Sequence, residues 1–323
     1  MSRVKDAEIG ELLDEAEAAG RYLHVPPGST RRALDRRASE GKLARPARGW
    51  YARIAYRDGL NRKEHEMHML HTAAQQHPSW IFCNATAALA HGLYASYWRV
   101  RPPHILVQRG AGGGPTGAAR RHEGAADDVE VVGSLRVTSL RRTAVDCMRT
   151  LCPEEALAIA DSTLRKTGAT NEELSEWVKR YGAGKKGVNN AMEAALLANP
   201  LSENGGESMA RSIMIRSGFV PPQLQVPFDN PAGGEPYRVD FYWLREDGRI
   251  VVGEFDGKEK YVEEGMTGGK DIVDVVLREK ERESIVSDFN VRVFRFTFQD
   301  IMHPERLVQK MVQAGVPRLW WRA

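Results

Sequence analysis

Residues 237–257 read YRVDFYWLREDGRIVVGEFDG, a pattern that predicts a two-stranded core for the last third of the chain. Tyr237–Leu244 alternates, with Val239, Phe241 and Trp243 on one face and Arg238, Asp240 and Tyr242 on the other, as a strand requires. Arg245–Arg249 carries a turn signal at Asp247–Gly248, so a hairpin returns the chain into Ile250–Gly257. That second run is apolar enough for a central strand. It nevertheless carries Glu254 and Asp256, two residues apart and therefore on one face.

Two carboxylates on a central strand and a third, Asp240, on its hairpin partner would repel one another, and burying them without a counter-ion is costly. A divalent cation removes the difficulty. Asp and Glu oxygens suit Mg2+ or Mn2+, which keep water ligands and bridge to phosphate. Such an ion lowers the pKa of a bound water and stabilises charge on a scissile phosphate. Lys258 and Lys260 follow directly and are candidates to orient water or to neutralise the transition state. The alternative is a solvated strand end, with Glu254 and Asp256 paired to those lysines. Upstream, Glu207 opens the helix SMARSIMIRSG, where a carboxylate is also favoured by the helix N-terminus alone.

Outward from this core, Gly182–Gly187 reads as a linker or a joint between helices. Residues from about 60 to 185 give an α/β-type unit. Its expected helices are Arg62–Gln76, Asn84–His91, Arg142–Arg149, Pro153–Thr167 and Asn171–Tyr181, and its expected strands His104–Gln108, Asp128–Val132 and Val137–Leu140. His65, His68, His71 and His77 fall in this unit without an HExxH pattern, so they read as core or surface histidines.

The N-terminal segment is set apart by charge. Ten basic side chains lie between Arg21 and Arg57, opposed by Asp35 and Glu40 alone, and the preceding twenty residues are acidic. Gly20 ends a first amphipathic helix, Ala7–Ala18, and Ser29 or Thr30 is placed to cap a second, TRRALDRRASEGKL, which Gly41 ends. Arg31, Arg32, Arg36 and Arg37 are expected to fan outward from it. The Pro/Gly hairpin that follows carries Arg45 and Arg48. A basic helix followed by a basic hairpin is the pattern of a winged helix-turn-helix, with one element in the major groove and the other on sugar and phosphate. DNA is thus the expected partner.

The whole chain has 323 residues, 42% of them hydrophobic, and a formal net charge of +3. It contains no apolar run of about 18 residues, so no membrane span is expected. Its three cysteines are too few and too scattered for a disulfide framework or a zinc site. The N-terminus lacks a signal-peptide core, and a cytoplasmic location is expected.

The run VDFYW…VVGEFDGKEKY, followed by REKERESIVSDFNVRVFRFTFQDI, resembles the PD-(D/E)XK nuclease superfamily, in particular the branch of very-short-patch-repair endonucleases. That resemblance implies a central mixed sheet flanked by helices and an acidic hairpin holding Mg2+ (or Mn2+). Asp240 matches the first acid, Glu254 the acid of the (D/E)XK step, and Glu207 the acid that several members carry on the first helix. Asp256 stands where the lysine is usual, with Lys258, Lys260 or Lys280 as replacements. The catalytic set implied is Glu207, Asp240, Glu254, Asp256, Lys258 and Lys260, with Asp240, Glu254 and Asp256 on the metal.

The runs RALDRRASEGKLARPARGWYA, CNATAALAHGLY, HILVQRG and RVTSLRRTAVDCMRT are similar to the AbiEi-type antitoxin family. This implies a winged-helix DNA-binding domain that represses its own promoter and opposes a toxin. The expected architecture is therefore an α/β (α+β multidomain) chain. Residues 1–57 form a winged helix-turn-helix, 58–185 an AbiEi-like middle domain and 186–323 a restriction-endonuclease-like mixed sheet flanked by helices. The expected function is a DNA-binding protein with a Mg2+-dependent endonuclease domain, in phage defence or a toxin–antitoxin system. The alternative is an autoregulatory repressor or antitoxin whose nuclease domain is catalytically degenerate. DNA, a cognate toxin or other defence protein, and a second copy of the chain are the partners these readings name.

Overall fold

The computed structural model describes residues 2–108, 110, 118–228, 236–257 and 291–319. It is a mixed α/β protein of two compact units, Met1–Thr143 and Ala144–Ala323. The expected middle segment, 58–185, spans that division.

In the first unit, α1 (Ser2–Ala18) ends where the Gly20 N–H bonds to Glu17 and the Arg21 N–H to Ala16, a paired cap that glycine permits at φ 62°. After β1 (Leu23–His24), α2 (Ser29–Ser39) ends in the same way at Gly41. Its N-cap is Gly28, and no side chain caps it, so neither Ser29 nor Thr30 has the expected role: both lie inside the first turn. The hairpin β2 (Ala44–Ala47) and β3 (Trp50–Ala52) joins β1 in a three-stranded sheet of order β1-β3-β2. Ile9, Leu13, Ala16, Leu23, Leu34, Leu43 and Tyr51 form the core beneath it.

The short α3 (Ile54–Gly59) leads into α4 (Arg62–Gln76), begun by a reciprocal capping box between Asn61 and Glu64. Next come β4 (Ile81–Phe82), α5 (Asn84–Ala90), α6 (Tyr97–Val100), β5 (His104–Val107), β6 (Arg120–Glu123), β7 (Val129–Val132) and β8 (Leu135–Thr138). The five strands form a mixed sheet of order β6-β5-β4-β8-β7 over a core that includes Leu70, Phe82, Val100, Leu135 and Val137. The histidines of α4 are structural. His68 is buried and bonds Tyr56, and His65 bonds Tyr22.

Helix α7 (Leu140–Thr150) crosses the division. In the second unit α8 (Pro153–Thr167), α9 (Asn171–Gly182), α10 (Val188–Leu197) and α11 (Gly205–Arg216) form a helical layer. Helix α8 belongs to this unit because it packs along α11, tied by the buried Arg211–Asp161 pair at 2.7 and 2.9 Å. Gly182–Gly187 is a tight joint rather than a loose linker. Gly187 has φ 83°, and a Cβ there would meet the Arg149 carbonyl oxygen at 1.9 Å.

The sheet of this unit comprises β9 (Gln223–Phe228), β10 (Tyr237–Leu244), β11 (Ile250–Asp256) and β12 (Val291–Thr297), in the order β12-β11-β10-β9. Strand β10 pairs antiparallel with β9 and β11, while β11 and β12 are parallel, so the sheet is mixed as expected. One face carries stacked and tilted rings of Phe241, Trp243, Phe294, Phe296 and Phe255. Gly253 must lack a side chain here, since a Cβ would lie 2.8 Å from the Phe294 ring. The chain continues into α12 (Phe298–Met302) and α13 (Pro304–Ala314). The run REKERESIVSDFN lies outside the described residues.

Candidate functional site

Three elements bring carboxylates together at one place in the second unit. Helix α11 supplies Glu207, β10 supplies Asp240 and β11 supplies Glu254. Each is placed by local chemistry. Asn204 caps α11 by accepting from the Glu207 N–H at 3.0 Å, and Glu207 bonds back to the Asn204 side-chain amide and the Glu203 N–H. Asp240 accepts from the Phe255 N–H at 2.8 Å through Oδ2, and Gln225 Nε2 lies 3.4 Å from its Oδ1. Gln225 has φ 53°, a left-handed conformation inside β9. A non-glycine residue there costs about 1–3 kcal/mol and clusters at functional sites.

The electrostatics show the crowding directly. Glu207 is 4% exposed, and its pKa is pushed up to about 8, first by burial and then by the Asp240 charge. The Glu203 N–H and the Arg165 guanidinium oppose that rise. Glu254 is likewise raised to about 8 by burial, Asp240 and Glu207, against Arg295 and the Asp240 backbone. Among the described residues, Glu254 Oε1 is enclosed and has no hydrogen-bond partner.

These donors are hard carboxylate oxygens with an unsatisfied atom among them, and that chemistry fits Mg2+ or Mn2+. Among the described residues no group of three or more His, Cys, Asp and Glu side chains is already gathered tightly enough to hold a metal ion. Asp240 is engaged by the Phe255 N–H, and Glu207 is turned onto the Asn204 and Glu203 groups. Asp256 lies two residues beyond Glu254 on β11, half-buried, beside Thr297 in the parallel register. Lys258, Lys260, Lys280 and Arg282 lie outside the described residues.

Three neighbours of the site were not singled out in the sequence. Gln225, Arg165 and Arg295 sit on β9, α8 and β12, and each reaches the carboxylates only through the tertiary fold. Arg295 alone left a trace in the sequence, as a charge set between Phe294 and Phe296.

The basic segment of the first unit divides in two. The Arg31 side chain is 17% exposed, packs over Gly49 and lies 3.9 Å from Asp35. Arg37 is also 17% exposed, bonded to the Ala33 carbonyl and paired with Asp6. Neither fans outward as expected, because the hairpin and α1 supply partners for them. Arg36 (68%) and Arg45 (55%) remain exposed despite long contacts to Glu40 and Asp35, and Arg32 and Arg48 are exposed too.

No protein-family model and no solved structure matches the chain. It is 33% identical over 129 residues to an uncharacterized protein of Mycobacterium tuberculosis, found in strains CDC 1551 / Oshkosh and ATCC 25618 / H37Rv. The match takes in 40% of this chain and 47% of that relative, so the chain spans about half the length of the curated relatives it matches. No helix among the described residues is long and apolar enough to cross a membrane.

Proposed function

We propose that this chain is a DNA-binding protein whose C-terminal sheet hydrolyses phosphodiesters with a divalent cation, in the manner of PD-(D/E)XK nucleases. The observation that carries the reading is the convergence of Glu207, Asp240 and Glu254, with one enclosed oxygen of Glu254 lacking a partner among the described residues. Asp240, Glu254 and Asp256 would hold Mg2+ or Mn2+, which when bound supplies an activated water and charge stabilisation at phosphorus. Glu207, protonated near neutral pH in its buried place beside Asp240, would donate its carboxyl proton as a general acid.

Residues 1–57 act in this reading as a winged helix-turn-helix that delivers the chain to DNA. Arg32, Arg36, Arg45 and Arg48 face the backbone phosphates, and a second copy would pair half-sites. Phage defence or a toxin–antitoxin system is the setting that the family resemblance supplies.

A second reading rests on Asp256. A carboxylate where a lysine is usual favours an autoregulatory repressor or antitoxin, with a toxin as partner and a degenerate nuclease domain. Plasmid DNA incubated with Mg2+ or Mn2+ separates the two. The nuclease reading expects nicking or cleavage by the unaltered chain and none by Glu254→Ala. Intact plasmid with both metals favours the repressor.

A further inference from the structure

The carboxylates belong to a row that crosses the sheet. Gln225 on β9 reaches Asp240 on β10, the Asp240 side chain is held beside Glu254 through the Phe255 N–H, and Glu254 is the register partner of Arg295 on β12. Parallel register partners project from the same face. Phe294 and Phe296, on either side of Arg295, are buried at 7% and 0%, which turns exposed Arg295 onto the face of Glu254. Its main chain is fixed as well, because Lys310 Nζ donates to the Arg295 carbonyl at 3.1 Å and to Asp300 at 2.7 Å.

We propose that Arg295 binds the non-bridging oxygens of a nucleic-acid phosphodiester at this site, taking the cationic place that Asp256 leaves. The inference rests on the phosphodiesterase reading above. Neighbouring strands lie about 4.8 Å apart, whereas residues two apart on one strand lie about 6.6 Å apart. The backbone of Arg295 is therefore closer to that of Glu254 than the backbone of position 256 is. Guanidinium matches two phosphate oxygens in a planar fork, which an ammonium does not. It also keeps its proton, so Arg295 positions the diester and does not serve as a base. Substrate orientation thus falls to β12, and proton transfer stays with the carboxylates.

The test uses the full chain with Mn2+ and bis(p-nitrophenyl) phosphate, a diester that offers α2 no duplex to bind. Arg295→Gln should raise KM by roughly tenfold to a hundredfold, the size of one charge-assisted hydrogen bond. The rise in melting temperature on adding Mn2+ should persist, and Arg295→Lys should recover part of the lost affinity. An unchanged KM in Arg295→Gln overturns the inference alone, as does loss of the Mn2+ response, which would mark a structural role. Absence of hydrolysis by the unaltered chain overturns the parent reading and the inference with it.

Discussion

Asp240 accepts a 2.8 Å hydrogen bond from the backbone N–H of Phe255, the residue that follows Glu254. A side chain on β10 thereby takes up a main-chain donor of β11 and holds its charge beside Glu254. The bond explains how two carboxylates remain adjacent despite repulsion. Glu207 and Glu254, pushed up first by burial and then by the Asp240 charge, both hold protons to about pH 8.

A raised carboxyl pKa has a definite consequence for stability. Between the ordinary value of 4.5 and about 8, the folded chain binds protons that the unfolded chain has released. The stabilisation is complete below the lower value and is lost as pH rises through the upper one. Melting temperature in EDTA should therefore fall from about pH 5 to about pH 9. Glu254→Gln should flatten that fall, and a profile identical to the unaltered chain would count against the assigned crowding.

The basic segment predicts a division of labour. Replacing Arg32, Arg36, Arg45 and Arg48 by Ala should weaken duplex binding, and the salt slope should drop by about 0.9 for each phosphate no longer neutralised. Arg31→Ala and Arg37→Ala should instead lower stability by up to about 1 kcal/mol, the scale of surface ion pairs. Filter-binding titrations at several salt concentrations, with melting curves alongside, separate the two groups.

Gly206 lies in the first turn of α11, and a Cβ there would lie 2.4 Å from the Phe255 ring. Gly206→Ala must push apart the elements that carry Glu207 and Glu254. Overpacking of this kind costs about 1–3 kcal/mol. Denaturant titration should show the loss, and Mn2+ affinity should fall with it. Unchanged Mn2+ affinity would uncouple this packing from the site.

Asp161 and Arg211 form a pair that is almost wholly buried, and Asp161 also accepts from the Asn199 N–H at 2.8 Å. Asp161→Ala would strand the guanidinium, at a cost of about 3–5 kcal/mol. Chemical denaturation measures this, and a loss below about 1 kcal/mol would contradict the assigned burial.

Legibility in the sequence followed the strength of the local signal. Tyr237–Leu244, Arg62–Gln76 and Pro153–Thr167 have the expected ends, because alternation, caps or an initiating proline mark them. Strand β6 (RRHE) is polar throughout, and β9 (QLQVPF) is broken by the left-handed Gln225, so neither offers a periodic pattern. Asp240, Glu254 and Glu207 were legible as acids in telling places. The ties of Gln225, Arg165 and Arg295 to them were not, since register across a sheet is a tertiary fact. The directions of Arg31 and Arg37 depended likewise on Gly49 and Asp6, distant in sequence.

Asp240, Glu254 and Asp256, with Glu207 beside them, are proposed to take up a divalent cation. Titration calorimetry of the full chain with Mn2+, near pH 8, tests it most directly. A saturable site with proton release is expected, abolished in Glu254→Gln while the fold persists by circular dichroism. A chain that takes up no Mn2+, or a Glu254→Gln variant that binds it as tightly, would mean that these carboxylates hold no cation.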